Sequence, residues 1–250
     1  MIDLHTHVLP GIDDGPGTMD GSLELLRAAH ADGISRMAAT PHVRDDYPTP
    51  VEEMERLVGE VNAAAREAGI PVEVLPGGEL DLGYMQQLDD ETLRRFGLGG
   101  NPNVLLLETP YRGWAVGIHD VVFRLQMRGF SVVLAHPERN ADVQADPEQL
   151  RPIVDAGVYV QLTAASVDGR LGRASASASS ALLDAGLAHL IASDAHAPAI
   201  RAIGMSAAAE AVGDEALGRW LTHDVPAALL AGATPPPRPA QRRRLRLRRN

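Results

Sequence analysis

Apolar residues in this chain fall into short runs, and most runs open just after a glycine that closes a helical stretch. Gly33-Ile34, Gly69-Ile70, Gly129-Phe130, Gly157-Val158 and Gly186-Leu187 mark five such junctions. Glycine readily adopts the left-handed conformation that ends a helix, so each junction predicts a helix C-terminus feeding a strand. The runs are Arg36 to Ala39, Val72 to Leu75, Ser131 to Ala135, Tyr159 to Leu162 and His189 to Ala192, with Ile2 to Leu4 and Val104 to Leu107 adding two more. Between them, Ser22 to Ala31, Val51 to Ala68, Trp114 to Met127 and Ala181 to Ala185 carry apolar residues three to four apart, the spacing of an amphipathic helix. Strands alternating with helices predict right-handed βαβ units and a parallel sheet buried on both faces. Seven strands, one short of a full barrel, predict an α/β fold in the form of a distorted or incomplete barrel.

The 250 residues suit one barrel-sized domain, here bounded at 1–233, and the 45% hydrophobic content is that of a globular body. No run approaches the roughly 18 apolar residues of a membrane span. The chain has no cysteine, which removes disulfides, thiolate ligands and sulfur nucleophiles. Every basic residue other than histidine is arginine, and Arg238, Arg242, Arg243, Arg244, Arg246, Arg248 and Arg249 crowd the end of the chain. Up to Pro237 there are 16 basic against 33 acidic residues, so the body carries about −17 and would repel nucleic acid. Residues 234–250, Pro-rich and then Arg-rich, are expected to form a disordered, solvated tail or a contact for polyanions or a membrane surface. Chemistry-bearing residues begin at His5, where a cleaved leader would remove them, so a cytoplasmic location is expected.

The residues just after each strand carry the chemistry. The chain gives His5-Thr6-His7, Thr40-Pro41-His42, Gly78-Glu79, Glu108-Thr109, His136-Pro137-Glu138-Arg139 and Ser193-Asp194-Ala195-His196. The C-terminal ends of parallel strands converge on one mouth, so these residues can meet. Two residues spaced as His5 and His7 point the same way from an extended segment and can grip one ion; Asp194 and His196 repeat that spacing. Five of nine histidines sit at such ends. Imidazole and carboxylate without thiolate suit Mn, Fe or Zn. Paired cations lower the pKa of coordinated water and clamp attacking and leaving oxygens, so a bridging hydroxide attacking phosphorus is the expected nucleophile. Arg139 and Arg201 are placed to bind the phosphoryl oxygens as forked guanidiniums.

The stretch Asp3-Leu4-His5-Thr6-His7 through Pro10-Gly11-Ile12-Asp13-Asp14-Gly15 resembles the opening of the polymerase and histidinol phosphatase (PHP) superfamily, and most closely its CpsB/YwqE-like bacterial protein-tyrosine phosphatase branch, which acts in capsule and exopolysaccharide control. The resemblance runs from Met1 to about Ala231 with every motif in order, apart from Ala197, where members usually carry Asn. It implies a distorted seven-stranded barrel, the PHP fold, with three metal ions, usually manganese, with iron or zinc as substitutes. His5, His7, Glu79 and Asp194 would hold the first ion; Glu79 would bridge to a second held by Glu108 and His136; Asp14, His42 and His196 would hold the third. Adjacent Asp13 and Asp14 leave the choice between them open from spacing alone. Arg139 and Arg201 would hold the phosphate, and the substrate would be phosphotyrosine on a protein, a bacterial tyrosine kinase. A phenolate, whose conjugate acid has a pKa of about 10, leaves readily, so no general acid is assigned.

Three other readings compete. A small-molecule phosphatase of the same superfamily, such as one for histidinol phosphate, would share the ligand set. A metal-binding regulator without turnover would keep the ligands and lose the reaction. A nuclease would need a basic, aromatic-lined groove that this acidic body lacks. Oligomeric state is not legible in the pattern.

Overall fold

A computed structural model describes residues 1–114, 117–197 and 202–240. Its ten strands are β1 (Ile2–Thr6), β2 (Arg36–Ala39), β3 (His42–Arg44), β4 (Tyr47–Pro48), β5 (Glu73–Leu75), β6 (Glu79–Asp81), β7 (Val104–Glu108), β8 (Ser131–Ala135), β9 (Tyr159–Thr163) and β10 (Leu190–Ala192). All seven anticipated runs form strands, and the five junction glycines all have positive φ, between 67° and 93°. The additional strands β3, β4 and β6 are too short and too polar to show as apolar runs.

The fold is α/β with parallel sheets. One sheet has the order β1-β2-β5 and the other β10-β9-β8-β7-β6-β3-β4; only the β3/β4 hairpin is antiparallel. Two extended stretches serve both sheets. The first passes from β2 to β3 through Thr40-Pro41, the second from β5 to β6 through Pro76-Gly77-Gly78. Proline has no N–H to give a ladder, so each proline breaks the hydrogen-bond run where the chain changes sheets. On the other flank, Asp194 N–H donates to His5 O and His7 N–H to Ala195 O, both at 2.9 Å, tying β1 to the segment after β10. The strands thus lie in two stitched sheets; among the described residues the ladder does not run on into one closed sheet.

Packing follows burial on both faces. Every residue of β7 is buried, and Leu105, Leu106 and Leu107 join Leu134, Val160 and Ile191 in one apolar core. Helices Met19–Ala31 and Val51–Glu67 cover the sheets through Leu25, Leu26, Met54 and Val61. The first is capped by Thr18, whose hydroxyl accepts from Gly21 N–H.

Two helical expectations need correction. In the stretch Trp114 to Met127 the described helix runs from Ile118, preceded by Gly117 at φ 89°; Trp114 is not helical, and residues 115–116 lie outside the described residues. The stretch Ala181 to Ala185 is the end of a longer helix, Arg173–Asp184, whose first turns are alternating Ala and Ser and carry little apolar signal.

Residues 234–240 have no regular secondary structure, yet two contacts hold them. Trp220 Nε1 donates to Pro236 O at 2.8 Å, and Arg238 donates to Ala188 O and Leu183 O at 2.9 and 2.8 Å. Those carbonyls precede β10, so this anchor is on the side opposite the strands' C-terminal ends. The remaining arginines of the tail lie outside the described residues.

Truncating Leu134, fully buried in β8, to Ala is expected to cost about 2–5 kcal/mol by lost contacts and a residual cavity. Urea unfolding followed by circular dichroism measures this.

Candidate metal centre

Nine side chains from six segments meet where the parallel strands end. Their donor atoms form four overlapping groups, each with all atoms within 4.8 Å of one another: His7, Asp14, His42 and His196; His5, Glu79 and His136; His5, His7 and Asp194; and His42, Glu79 and Glu108. Every residue is buried except Asp14, whose side chain is 35% exposed. These are the nine positions singled out from the sequence. His5 and His7 lie at and just after the end of β1. Glu108 ends β7, His136 follows β8, and Asp194 and His196 follow β10. His42 and Glu79 instead open β3 and β6, just past the points where the chain changes sheets.

The centre fits cations better than it fits hydrogen bonds among its own members. His5 Nε2 and His7 Nε2 each stand 3.4–3.5 Å from Glu79 Oε2 and Asp194 Oδ1. That is about the separation of two ligands bound tetrahedrally to one ion at roughly 2.1 Å. His5 Nε2, His7 Nε2, His42 Nδ1 and Glu79 Oε2 are buried with no hydrogen-bond partner. Orphaned polar atoms are costly in a protein interior, and three imidazole nitrogens around one orphaned carboxylate oxygen call for a shared positive charge.

A layer of hydrogen bonds behind the donors aims them. Asp13 Oδ2 meets His7 Nδ1 at 2.6 Å and accepts from His42 N–H at 3.1 Å, while Asp13 Oδ1 accepts from Gly15 N–H. Asp14 faces the other way, with Oδ1 at 3.1 Å from His196 Nε2 and 3.5 Å from His42 Nε2. The adjacent aspartates therefore divide the work: Asp13 orients an imidazole and Asp14 offers its own oxygen. Gln161 Oε1 holds His5 Nδ1 at 2.9 Å, and the Asp194 carbonyl holds His196 Nδ1 at 2.9 Å. Asp3, buried in β1, accepts from Ser193 N–H at 3.0 Å and so fixes the turn that carries Asp194. Burial is the main cause of its pKa rise to about 6, against those hydrogen bonds.

Local backbone geometry is unusual here. His136 (φ 38°) and Asp194 (φ 51°) are the only non-glycine residues with positive φ among the described residues. Such conformations cost energy and survive where the surroundings over-determine them, often at functional sites.

Charges in the centre are strongly coupled. Burial acts to lower the pKa of His7, but Asp13, Asp194 and Glu79 outweigh it and hold the imidazole well above its usual value. His5 is raised against burial by Glu79 and Asp194. Burial would raise Asp194 and Glu79, yet the facing imidazoles, with Arg139 beside Asp194, keep both well below the carboxylate range. His136 is pushed down to about 4 by burial and then by Arg139. Burial and the neighbouring Glu79 raise Glu108.

Arg139 lies at the rim of the centre, donating to Asp194 Oδ2 and, at 2.6 Å, to Tyr111 Oη. Arg201, the second predicted phosphate ligand, lies outside the described residues. Arg44 was not anticipated: it donates to Glu108 Oε1 at 3.1 Å from the far end of β3. Its signal in the sequence was its place two residues after His42, on the same side of an extended segment. Asp3 and Gln161 were likewise missed. Both are polar residues inside apolar strands, which is the detectable trace of a buried partner.

The sequence profile of the family described as "Capsular polysaccharide synthesis, CpsB/CapC" matches residues 1–225. Among individual proteins, the chain is 34% identical over 197 residues to the tyrosine-protein phosphatase YwqE of Bacillus subtilis, spanning 78% of this chain and 77% of that one. It is 26% identical over 207 residues to the tyrosine-protein phosphatase CpsB of Streptococcus pneumoniae, spanning 78% and 83%. Among solved structures, one from a study of YwqE and CpsB, described as metal-dependent tyrosine phosphatases, superposes with a TM-score of 0.86 at 32% identity. The match covers 97% of this chain and all of the other. An organophosphorus hydrolase variant shares the fold alone, with a TM-score of 0.55 at 16% identity over 92% of each chain.

Two outcomes are expected. A Cβ at Gly15 would stand 2.2 Å from the carbonyl oxygen of His7, so Gly15→Ala must displace the loop bearing Asp13 and Asp14. Metal affinity should fall about 10- to 100-fold, the usual effect of losing an orienting partner, as read by titration with Mn²⁺. The second concerns pH. With no cation bound, the pKa of His5 and His7 is raised by the facing carboxylates, so their pairing stabilises the fold below the unfolded value near 6.5 and fades as pH rises through the folded value. A cation must displace the imidazole protons, so metal affinity should increase from pH 6 to 8. Each hundredfold excess of Mn²⁺ over Kd adds about 2.7 kcal/mol. Thermal melts with and without Mn²⁺ across that range should diverge as pH rises; a constant gap would contradict the assignment.

Proposed function

Because the chain belongs to the CpsB/CapC family of capsular polysaccharide synthesis, we infer that it is a metal-dependent phosphatase that hydrolyses phosphotyrosine on proteins. The observation that carries this reading is the set of orphaned, buried donor atoms of His5, His7, His42 and Glu79 converging at the strand ends. We assign nine ligands: His5, His7, Glu79 and Asp194 to one ion, Glu79, Glu108 and His136 to a second, and Asp14, His42 and His196 to a third. Manganese is the proposed metal, and the donor set also admits iron or zinc. The strands are read as the staves of a distorted seven-stranded barrel spanning 1–233, with residues 234–250 as a C-terminal extension. The proposed setting is the cytoplasm and the proposed substrate a bacterial tyrosine kinase of capsule or exopolysaccharide synthesis. Among the described residues no helix is long and apolar enough to cross a membrane.

When bound, the cations would supply an activated water and neutralise the phosphoryl oxygens. This chain's own residues do the rest. Asp13 and Gln161 fix the imidazole tautomers of His7 and His5 so that each Nε2 lone pair faces inward. Arg139, held by Asp194 and Tyr111, keeps its planar donors at the rim, where a phosphoryl group would meet them. Burial excludes bulk water and strengthens these contacts. A tyrosyl oxygen leaves as a phenolate of moderate basicity, so no protein acid is required.

Purified protein supplied with Mn²⁺ should hydrolyse p-nitrophenyl phosphate and a phosphotyrosine peptide, and should favour the peptide over histidinol phosphate in kcat/KM. Failure on both aryl substrates would sink the proposal. His136→Asn keeps a residue that tolerates φ 38° while removing the imidazole, and should abolish turnover with little change in Tm. Arg139→Ala should raise KM and lower kcat by about 10²-fold or more, the scale of losing one charge-stabilising donor.

A further inference from the structure

Aromatic residues are rare in this chain, with two Trp, four Tyr and three Phe, yet two of the four tyrosines stand over the metal centre. Tyr47, on the β3–β4 hairpin, stacks on the His42 imidazole with centroids 5.8 Å apart and planes 24° from parallel. Tyr111, in the loop after β7, stacks on the His136 imidazole at 6.2 Å and 4°. Each ring also carries a guanidinium: Arg44 Cζ lies 5.3 Å from the Tyr47 centroid and Arg139 Cζ 5.0 Å from that of Tyr111. The two imidazoles face opposite oxygens of one carboxylate: His42 Nδ1 stands 2.9 Å from Glu79 Oε2 without hydrogen-bond geometry, and His136 Nε2 meets Glu79 Oε1 at 2.7 Å. Each tyrosine is therefore one imidazole removed from a different oxygen of Glu79.

Core packing does not account for them. Tyr111 is 48% exposed, one of three exposed large apolar side chains among the described residues. An exposed ring would ordinarily move freely, but this one is held at both ends: Arg139 donates to its hydroxyl at 2.6 Å, and its carbonyl accepts from Ala141 N–H at 3.1 Å. Asn140 Nδ2, donating to Pro110 O at 2.6 Å, braces the same loop. Tyr47 lies beside Arg44, whose Nε is ion-paired with Asp46 Oδ1 at 2.8 Å. Fixed aromatic faces at an entrance are stacking platforms: their ordering cost is already met, and a second ring gains offset or edge contacts.

We propose that Tyr47 and Tyr111 form the two walls of a slot that grips the aromatic ring of the substrate and selects aryl over alkyl phosphates. The proposal rests on the phosphatase reading above. A phosphoryl group at the cluster leaves the ring bonded to it about one ring's length further out, in the layer the tyrosines occupy. Phenylphosphonate and methylphosphonate isolate the effect, because neither loses a leaving group and they differ only in the ring.

Calorimetric titration of the Mn²⁺-loaded protein should give a phenylphosphonate affinity about tenfold above that of methylphosphonate. Tyr47→Ala and Tyr111→Ala should each reduce that ratio about threefold or more, the scale of one aromatic contact. Tyr47→Phe and Tyr111→Phe, which keep the rings, should retain it, although the second loses the hydroxyl contact to Arg139. A wild-type ratio near one, or a ratio that survives both alanine substitutions, overturns the slot and leaves the phosphatase reading standing. If the loaded protein binds neither phosphonate, the phosphatase reading fails and takes the slot with it.

Discussion

Five imidazoles and four carboxylates share one mostly buried pocket in this protein, and the need to balance their charge governs everything around it. Ionised groups removed from water are tolerated only when paired and hydrogen-bonded. Without cations, the pairing falls to protons: His7 keeps its proton because Asp13, Asp194 and Glu79 surround it. With cations, the same geometry becomes a ligand cage. Protonation and metal loading are thus two solutions to one electrostatic problem, and a single arrangement of side chains serves both.

That constraint explains features that would otherwise look arbitrary. Asp3 and Gln161 are polar residues inside strands whose neighbours are apolar, and each contacts something that must not move: the Ser193 amide for Asp3, the His5 imidazole for Gln161. Left-handed backbone at His136 and Asp194 redirects the chain just past β8 and β10, where both side chains join the pocket. The prolines at positions 41 and 76 end one ladder and let the next begin at a new angle, which brings His42 and Glu79 to the pocket from the start of a strand.

Much of this was legible in the residues. Glycine punctuation located the strands because a helix that ends in the left-handed region leaves a clear trace, and the spacing of His5/His7 reported a shared direction; Asp194 and His196 instead enter different donor groups, because Asp194 leaves the extended region at φ 51°. Other parts left no such trace. Which of Asp13 and Asp14 faces the pocket depends on the loop closing against the His7 carbonyl, a tertiary contact made possible by Gly15. The role of Arg44 depends on β3 pairing beside β6 and β6 beside β7, which brings Glu108 within reach from 64 positions away. The low-contrast Ala/Ser helix at 173–184 shows the limit of hydrophobic periodicity when small residues do the packing.

The pinning of Arg238 to the carbonyls of Leu183 and Ala188 has a practical corollary. It fastens the chain's final described segment beneath the sheets, on the side remote from the ion-binding rim. A bulky protein substrate can approach that rim without meeting this segment, whose anchoring leaves the entrance clear.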